Sequence, residues 1–583
     1  MSNKLLSTVA ACAIAVALPG LLSGPLSTLF SGVAIGGRAF AADSVAPASV
    51  TGTGSQDRAP TATPIKHLVI IFNENVSFDH YFATYPKATN PPGEPAFNAA
   101  SGTPNVNNLA NAGLLRNNPN FTNKANGSDA AEPFRLDRSQ AFTADQNHAY
   151  TAEQQAYDGG KADLFPKYTG KASSGGAGAF GTKGQVMGYY DGNTVGAMWS
   201  YAQAFAMSDN AFGDTYGPST PGMLNVSSGQ TNGMTIVATT KKPSTVAAVS
   251  YYINDGQGGL TMINDVDPGY DICSNPKDQA MMSGKTIGDL LNAGGITWGS
   301  FMGGFRLDIS NANGSTGCKR ATHSTVVGAD VVDYIPHHAW FQYYASTANP
   351  KHERPSSLAA VGYSLQSGGT TRDPANHDYD LSDFYDAVKA GNFPSVSYIK
   401  MPAYEDGHAA YSDPLDEQEG TVRLINFLEQ QPDWNNTAVV ITWDDSDGWY
   451  DHVYTNVTRP SFDEADQLDG PGKCGTGSGL PGQNGKPVNG RCGPGTRIPF
   501  LVISPWAKTN YVGHAQLSLA SVVRFIEDNW LNDTRLGGGS FDASAGSIDG
   551  LFDFKNGGKN AALYLDPKTG MPLSAPPASG DTH

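Results

Sequence analysis

The sequence predicts an α/β fold built on a mostly parallel central sheet, and three observations carry that expectation. Leu68–Phe72, Val396–Lys400 and Ala438–Trp443 are short runs rich in β-branched and aromatic residues, the pattern of strands buried on both faces. Each run ends abruptly in acid or histidine, at the strand end where open α/β sheets bind ligands. Thr286–Ala293 reads as a helix and Ile296–Met302 as a strand, the alternation of a parallel sheet with crossover helices.

In chain order, Lys4, the apolar run Leu5–Leu22 and the small-x-small triplet Ala39-Phe-Ala41 read as an export signal over residues 1–41. Residues 42–63 are Ala-, Ser-, Thr-, Pro- and Gly-rich and are expected to be a disordered linker. Order is expected from about Pro64, with one catalytic domain over 64–554 and a frayed tail over 555–583. Past the signal, no stretch is long and apolar enough to span a membrane, so no stable membrane anchoring is expected after cleavage.

The first strand runs into Asn73-Glu74-Asn75. Residues 86–135, rich in Asn, Pro and Gly, read as a long surface excursion. His148 through Tyr157 fits a helix stopped by Gly159-Gly160, which puts His148 in the first turn and its pKa below the ordinary value. In Gly217-Pro-Ser219-Thr-Pro221, Thr220 reads as N-cap and Pro221 as the first helical residue. Ser219 then lies just ahead of a helix dipole, which favours negative charge on its oxygen. The surroundings do not match the Gly-x-Ser-x-Gly elbow of the α/β-hydrolases.

Pro336 makes an irregular loop of His337-His338, which would let two adjacent histidines serve one site. Met401 to His408 follows the second strand run, and Thr421–Gln430 reads as an amphipathic helix. The third run ends in Asp444-Asp445-Ser-Asp447; this is not a calcium loop, because Trp443 breaks the alternating acidic pattern and no Glu closes it. Arg497–Ser504 is a further buried strand and Leu517–Trp530 a helix.

With 583 residues, 39% of them hydrophobic, the chain can bury a large core. Its net charge of -17 argues against nucleic acid and anionic lipid as partners, and makes a metal the natural means of holding an anionic substrate. Beyond the signal there are four cysteines, Cys273, Cys318, Cys474 and Cys492, an even number that suits disulfides in an exported chain. Pairing of neighbours is the simplest of three connectivities. Closing the Gly- and Pro-rich loop before Cys492 would stabilise it by about 3 kcal/mol on the chain-entropy view. Together, Glu74, Asn75, Asp444 and Asp445 form an oxygen-rich set suited to a divalent cation, with histidines as donors around a bound anion.

Three segments carry a resemblance. Ile65–Phe82, Gly217–Gly229 and Ile441–Val453 resemble the opening, nucleophile and second metal segments of the bacterial phospholipase C and acid phosphatase family of phosphoesterases, over about residues 64–554. The resemblance implies an alkaline-phosphatase-like α/β/α sandwich with long loop insertions. Carried over by position, Glu74, Asn75, Asp444 and Asp445 would hold a divalent metal ion of unspecified identity, and Ser219 would be the nucleophile. His148, His337, His338 and His408 would line the phosphate pocket, with His148 or His408 as the acid. Several phospholipases of the family carry Thr at the position of Ser219 and Glu at that of Asp445, so the resemblance leans to the phosphatase branch; Val76, where many members carry Arg, is a departure. The expected activity is a periplasmic or secreted phosphomonoesterase acting on small phosphate esters through a phosphoserine. The alternatives are a phospholipase C acting on phospholipid head groups and a non-catalytic phosphate-binding protein.

Overall fold

A computed structural model describes residues 56–171, 181–240 and 250–578. Its centre is a nine-stranded sheet of β1 (His67–Asn73), β2 (Ala206–Phe212), β3 (Trp298–Met302), β4 (Asp378–Asp380), β5 (Val396–Lys400), β6 (Thr437–Trp443), β7 (Arg497–Ile503), β8 (Tyr511–Gly513) and β9 (Leu517–Ser518). The spatial order is β4-β3-β5-β1-β6-β7-β2-β8, with β9 also beside β2. All neighbours are parallel except β7, which runs antiparallel to both β6 and β2. Every residue of β1, β6 and β7 is buried, which is why their sequences read as continuous runs without alternation. Pro499 is tolerated inside β7 because the register with β2 shifts there, so no ladder bond requires its missing N–H.

The helices used below are α1 (Phe78–Phe82), α2 (Tyr150–Tyr157), α3 (Gly196–Ala204), α4 (Ser219–Ser228), α5 (Ile287–Gly294), α6 (Leu381–Lys389), α7 (Pro414–Leu428) and α8 (Ala520–Trp530). They cover both faces of the sheet. On β1, Phe72 packs edge-on against Trp340 of the layer that carries α4, whereas its neighbour Asn73 bonds Glu417 of α7. Successive strand residues point to opposite faces, so α4 and α7 lie on opposite sides, as the expected α/β/α sandwich requires.

The expected strands agree with those found to within about two residues, and α5 begins after Thr286 as its N-cap. The helix expected at 421–430 starts earlier, at Pro414, because Asp413 caps the Leu415 and Asp416 N–H groups. Leu517 and Ser518, expected as helix, add to the sheet edge before α8 begins.

Two expected boundaries need correction. Residues 56–63 are not disordered linker: Asp57 accepts from the buried His67 ring at 2.8 Å, and Lys66 Nζ donates to the Ala59 carbonyl. The export signal and the rest of the linker lie outside the described residues. The tail is not frayed over 563–571 either. Asn426 and Glu429 on the exit of α7 bond the backbone of Leu563 and Leu565, and Leu565 is fully buried. Cys273–Cys318 and Cys474–Cys492 are bonded as the neighbour pairing expects. Among the described residues no helix is long and apolar enough to cross a membrane.

Arg497, at the start of β7, fastens the loops to this frame. Fully buried, it donates through Nε to Asp451, through Nη2 to Asp79, and through Nη1 to the carbonyls of Asn107 and Asp209. Its guanidinium also lies over the Phe78 ring. Removing one partner of such a buried set leaves the others uncompensated, so Arg497→Met should cost about 3–5 kcal/mol in urea denaturation. His452, on the far side of Asp79, has its pKa lowered by burial but raised overall by Asp79. Its stabilisation is therefore complete below the ordinary imidazole value and lost as pH rises through the raised one. The urea-midpoint gap between wild type and His452→Gln should be wider at about pH 5.5 than at about pH 9.5.

Candidate active site

The site forms because β1 and β6 are parallel neighbours in register, Asn73 opposite Trp443. Glu74 and Asp444 therefore leave the sheet side by side. The Asn75 N–H donates to Asp444 Oδ1 at 2.8 Å, and the Asn75 amide donates to Asp447 Oδ1 at 3.2 Å. Asn75 and Asp447 both take positive φ, which turns each chain sharply at the strand end. The loop after β5 joins them, since the Glu74 N–H donates to the Asp406 carbonyl.

Helix α4 enters from one face with its first turn against this junction. Pro218 is the N-cap and Ser219 the first helical residue, two positions earlier than the Thr220 cap and Pro221 start expected from sequence. Asp265 takes over the capping, accepting from both the N–H and the hydroxyl of Thr220. Gly222 is required here, because a Cβ would lie 2.4 Å from the Asp444 carbonyl oxygen. The result is a bond from Ser219 Oγ to Glu74 Oε2 at 2.9 Å.

The four oxygen donors expected from sequence, Glu74, Asn75, Asp444 and Asp445, are all buried at the ends of β1 and β6, where the Asn75 N–H meets Asp444 and both Glu74 and Asp445 feel the Asp444 charge. Asp444 Oδ2, Asp445 Oδ2 and Asn75 Oδ1 are buried acceptors with no hydrogen-bond donor among the described residues. Burial, then the nearby Asp444, push the pKa of Glu74 and of Asp445 well up. Like charges confined this way, with unused oxygens, fit a cation.

The histidines surround this set. His338 Nδ1 is 3.3 Å from Glu74 Oε1. His337 stands edge-on to His338 at 4.6 Å between ring centres, on the turn Pro336–His338, and reaches Asp267 at 3.5 Å. His148 Nδ1 lies 3.1 Å from Asp447 Oδ1, and its ring centre is 5.9 Å from that of His408. His148 does not stand in the first turn of α2, which begins at Tyr150, and its pKa is not depressed. Burial pulls it down, but Asp445, Asp447 and Asp145 push it well up. By contrast burial takes His408 down to about 4, and burial with His337, Lys400 and His408 takes His338 well below its usual value.

Sequence reasoning did not single out Lys400, Asp406, Asp447 or Glu417 as site residues. Lys400 was legible as a charge closing a buried strand. Glu417 gives no sequence signal, since acids on amphipathic helices ordinarily face water. Here it is buried under the strand ends. Its Oε1 accepts from Asn73 at 2.7 Å and from Trp443 at 2.8 Å, the residues just before Glu74 and Asp444, and its Oε2 accepts from Tyr81. Gly407, at positive φ, must lack a side chain because a Cβ would meet the Glu417 carboxyl at 2.9 Å. Glu417→Ala leaves three buried donors without an acceptor, at about 1–3 kcal/mol each. It should lose at least about 3 kcal/mol in urea denaturation, while Glu417→Gln, which keeps an acceptor, should lose much less.

Residues 65–531 match the Phosphoesterase family. Non-hemolytic phospholipase C of Burkholderia pseudomallei is 25% identical over 477 residues, covering 81% of this chain and 56% of that protein. Non-hemolytic phospholipase C of Pseudomonas aeruginosa is 24% identical over 475 residues, covering 80% and 54%. Phospholipase C A of Mycobacterium tuberculosis is 23% identical over 479 residues, covering 81% and 74%. The chain thus spans about half the length of the first two relatives. Because the matched stretch covers most of the chain and contains the sheet from β1 to β9, Ser219 and both acidic strand ends, this chain is a member of the Phosphoesterase family.

Proposed function

We propose that this chain hydrolyses phosphoric esters, with Ser219 as nucleophile and a divalent ion held by Glu74, Asn75, Asp444 and Asp445. The carrying observation is the 2.9 Å bond from Ser219 Oγ to Glu74 beside three buried carboxylate and amide oxygens that lack donors. A divalent cation there supplies Lewis-acid stabilisation of charge on the phosphoryl oxygens. Glu74 aims the Ser219 oxygen and accepts its proton. The amino end of α4 favours negative charge at that position. Attack on phosphorus forms a phosphoserine and expels the ester oxygen, which takes its proton from His148, held charged by its carboxylates. Water then hydrolyses the phosphoserine to serine and phosphate. His337, His338 and His408 serve as donors to the phosphoryl oxygens; His338 Nε2 is buried and without a partner among the described residues.

Within this reading the substrate is a small phosphomonoester. Its dianion suits a wall of several histidines, and Ser219 with Asp445 is the pairing that leans to the phosphatase branch. The second reading, phospholipase C, is favoured by the names of relatives aligned over about four-fifths of this chain. Work in an oxidising compartment is supported by the two disulfides.

Hydrolysis of p-nitrophenyl phosphate and of p-nitrophenyl phosphorylcholine tests both points. The monoester should be preferred, and Ser219→Ala should lose about 10³-fold or more in kcat. Chelation should abolish turnover and a re-added divalent ion restore it. Full activity in Ser219→Ala sinks the nucleophile, and preference for the choline diester moves the chain to the phospholipase reading.

A further inference from the structure

Against the four-oxygen set stands a second constellation that includes Glu74. Glu74, His338 and Asp406 each present a ligand atom within 4.8 Å of one another, the spacing of three groups around one cation. All three are buried. Lys400 reaches into the same place. Its Nζ lies 2.8 Å from Glu74 Oε1 and 3.3 Å from Asp406 Oδ2, with only 2% of the residue exposed.

Position in the fold explains how it arrives there. Lys400 is the last residue of β5, and β5 is the parallel neighbour of β1 with Ile399 opposite Ile71. A side chain leaving the sheet at that point meets Glu74 as it leaves β1. Asp406 is fixed independently, accepting from the His408 N–H and the Tyr411 hydroxyl. An ammonium buried without partners is strongly disfavoured, so this lysine is tolerated because two carboxylates meet it. Glu74 consequently divides its oxygens, Oε2 to Ser219 and Oε1 to Lys400.

We propose that the Lys400 ammonium fills a second cation place built by Glu74, His338 and Asp406. The protein then loads one divalent ion where its acidic and imidazole groups could hold two. Lys400 supplies the second positive charge permanently, without dependence on metal supply. Glu74 is aimed by a positive group that is tethered to the chain and is not lost to solvent as a bound ion can be. The inference rests on the preceding reading of Glu74, Asn75, Asp444 and Asp445 as ligands of one ion.

Stoichiometry tests it without recourse to turnover. The full chain is stripped with chelator and titrated with Mn²⁺ alone, with ions counted per chain by calorimetry and elemental analysis. Wild type should bind one ion, Lys400→Arg one, and Lys400→Ala two. The second ion should vanish again in Lys400→Ala with Asp406→Asn. One ion in both wild type and folded Lys400→Ala overturns this inference alone; no ion in wild type overturns the metal reading beneath it as well. Should Lys400→Ala not fold, His338→Ala with Lys400 intact decides the matter. One ion bound within about threefold of wild-type affinity is expected, and a tenfold or greater weakening makes His338 a ligand of the resident ion and overturns the assignment.

Discussion

The buried carboxylate of Glu417 is the interaction on which the rest of the site depends. It collects the side chains of Asn73 and Trp443, one residue before the acids that end β1 and β6, and the hydroxyl of Tyr81 from α1. Burial raises its pKa to about 8, against the opposing pull of its three donors. Directional bonds from one rigid helix thus set where two parallel strands stop. The acids beyond them inherit that placement, so their spacing is decided before any ligand arrives.

What the frame positions is an excess of negative charge in a dry place. Glu74, Asp406, Asp444, Asp445 and Asp447 are all buried within one region, and each of Glu74, Asp406, Asp445 and Asp447 has its pKa raised first by burial. Positive charge enters from separate elements to meet it. Lys400 comes from β5, His148 from the segment before α2, and the partial charge of a helix end from α4. The division matters chemically. On one side Ser219 shares Glu74, and on the other the pKa of His148 is raised by Asp445, Asp447 and Asp145, so a hydroxyl and an imidazole face the acidic set from different loops.

These loops are long and need fastening. Arg497 gathers Asp79, Asp451 and two backbone carbonyls beneath the α1 and 444–452 segments, which holds the approach to the site rigid from behind. Glu153 on α2 does similar work nearer the chemistry, accepting from the Gly217 N–H ahead of Ser219 and from Ser446 between two site aspartates. Its carboxyl is pushed up to about 7 by burial. The tail docked on α7 and the two disulfides close the remaining excursions.

By itself the sequence determined the elements whose information is local. Unbroken apolar runs marked β1, β6 and β7 because strands buried on both faces need no polar positions, and acids directly after the runs marked the ligand end of the sheet. An even cysteine number points to disulfides, and neighbour pairing is the simplest of three connectivities, the one the structure holds. Tertiary structure alone decided what depends on partners far away in the chain. The antiparallel direction of β7 is invisible in a run that reads the same either way. Ser219 became the first residue of α4 because Asp265 caps Thr220 from outside the helix. The pKa of His148 rose because Asp445 and Asp447 arrive from a distant segment and join the neighbouring Asp145, which together outweigh burial, and because the helix expected to lower it begins only at Tyr150. Lys400 and Glu417 are ordinary residues in their own segments and acquire their roles only where β1, β5, β6 and α7 meet.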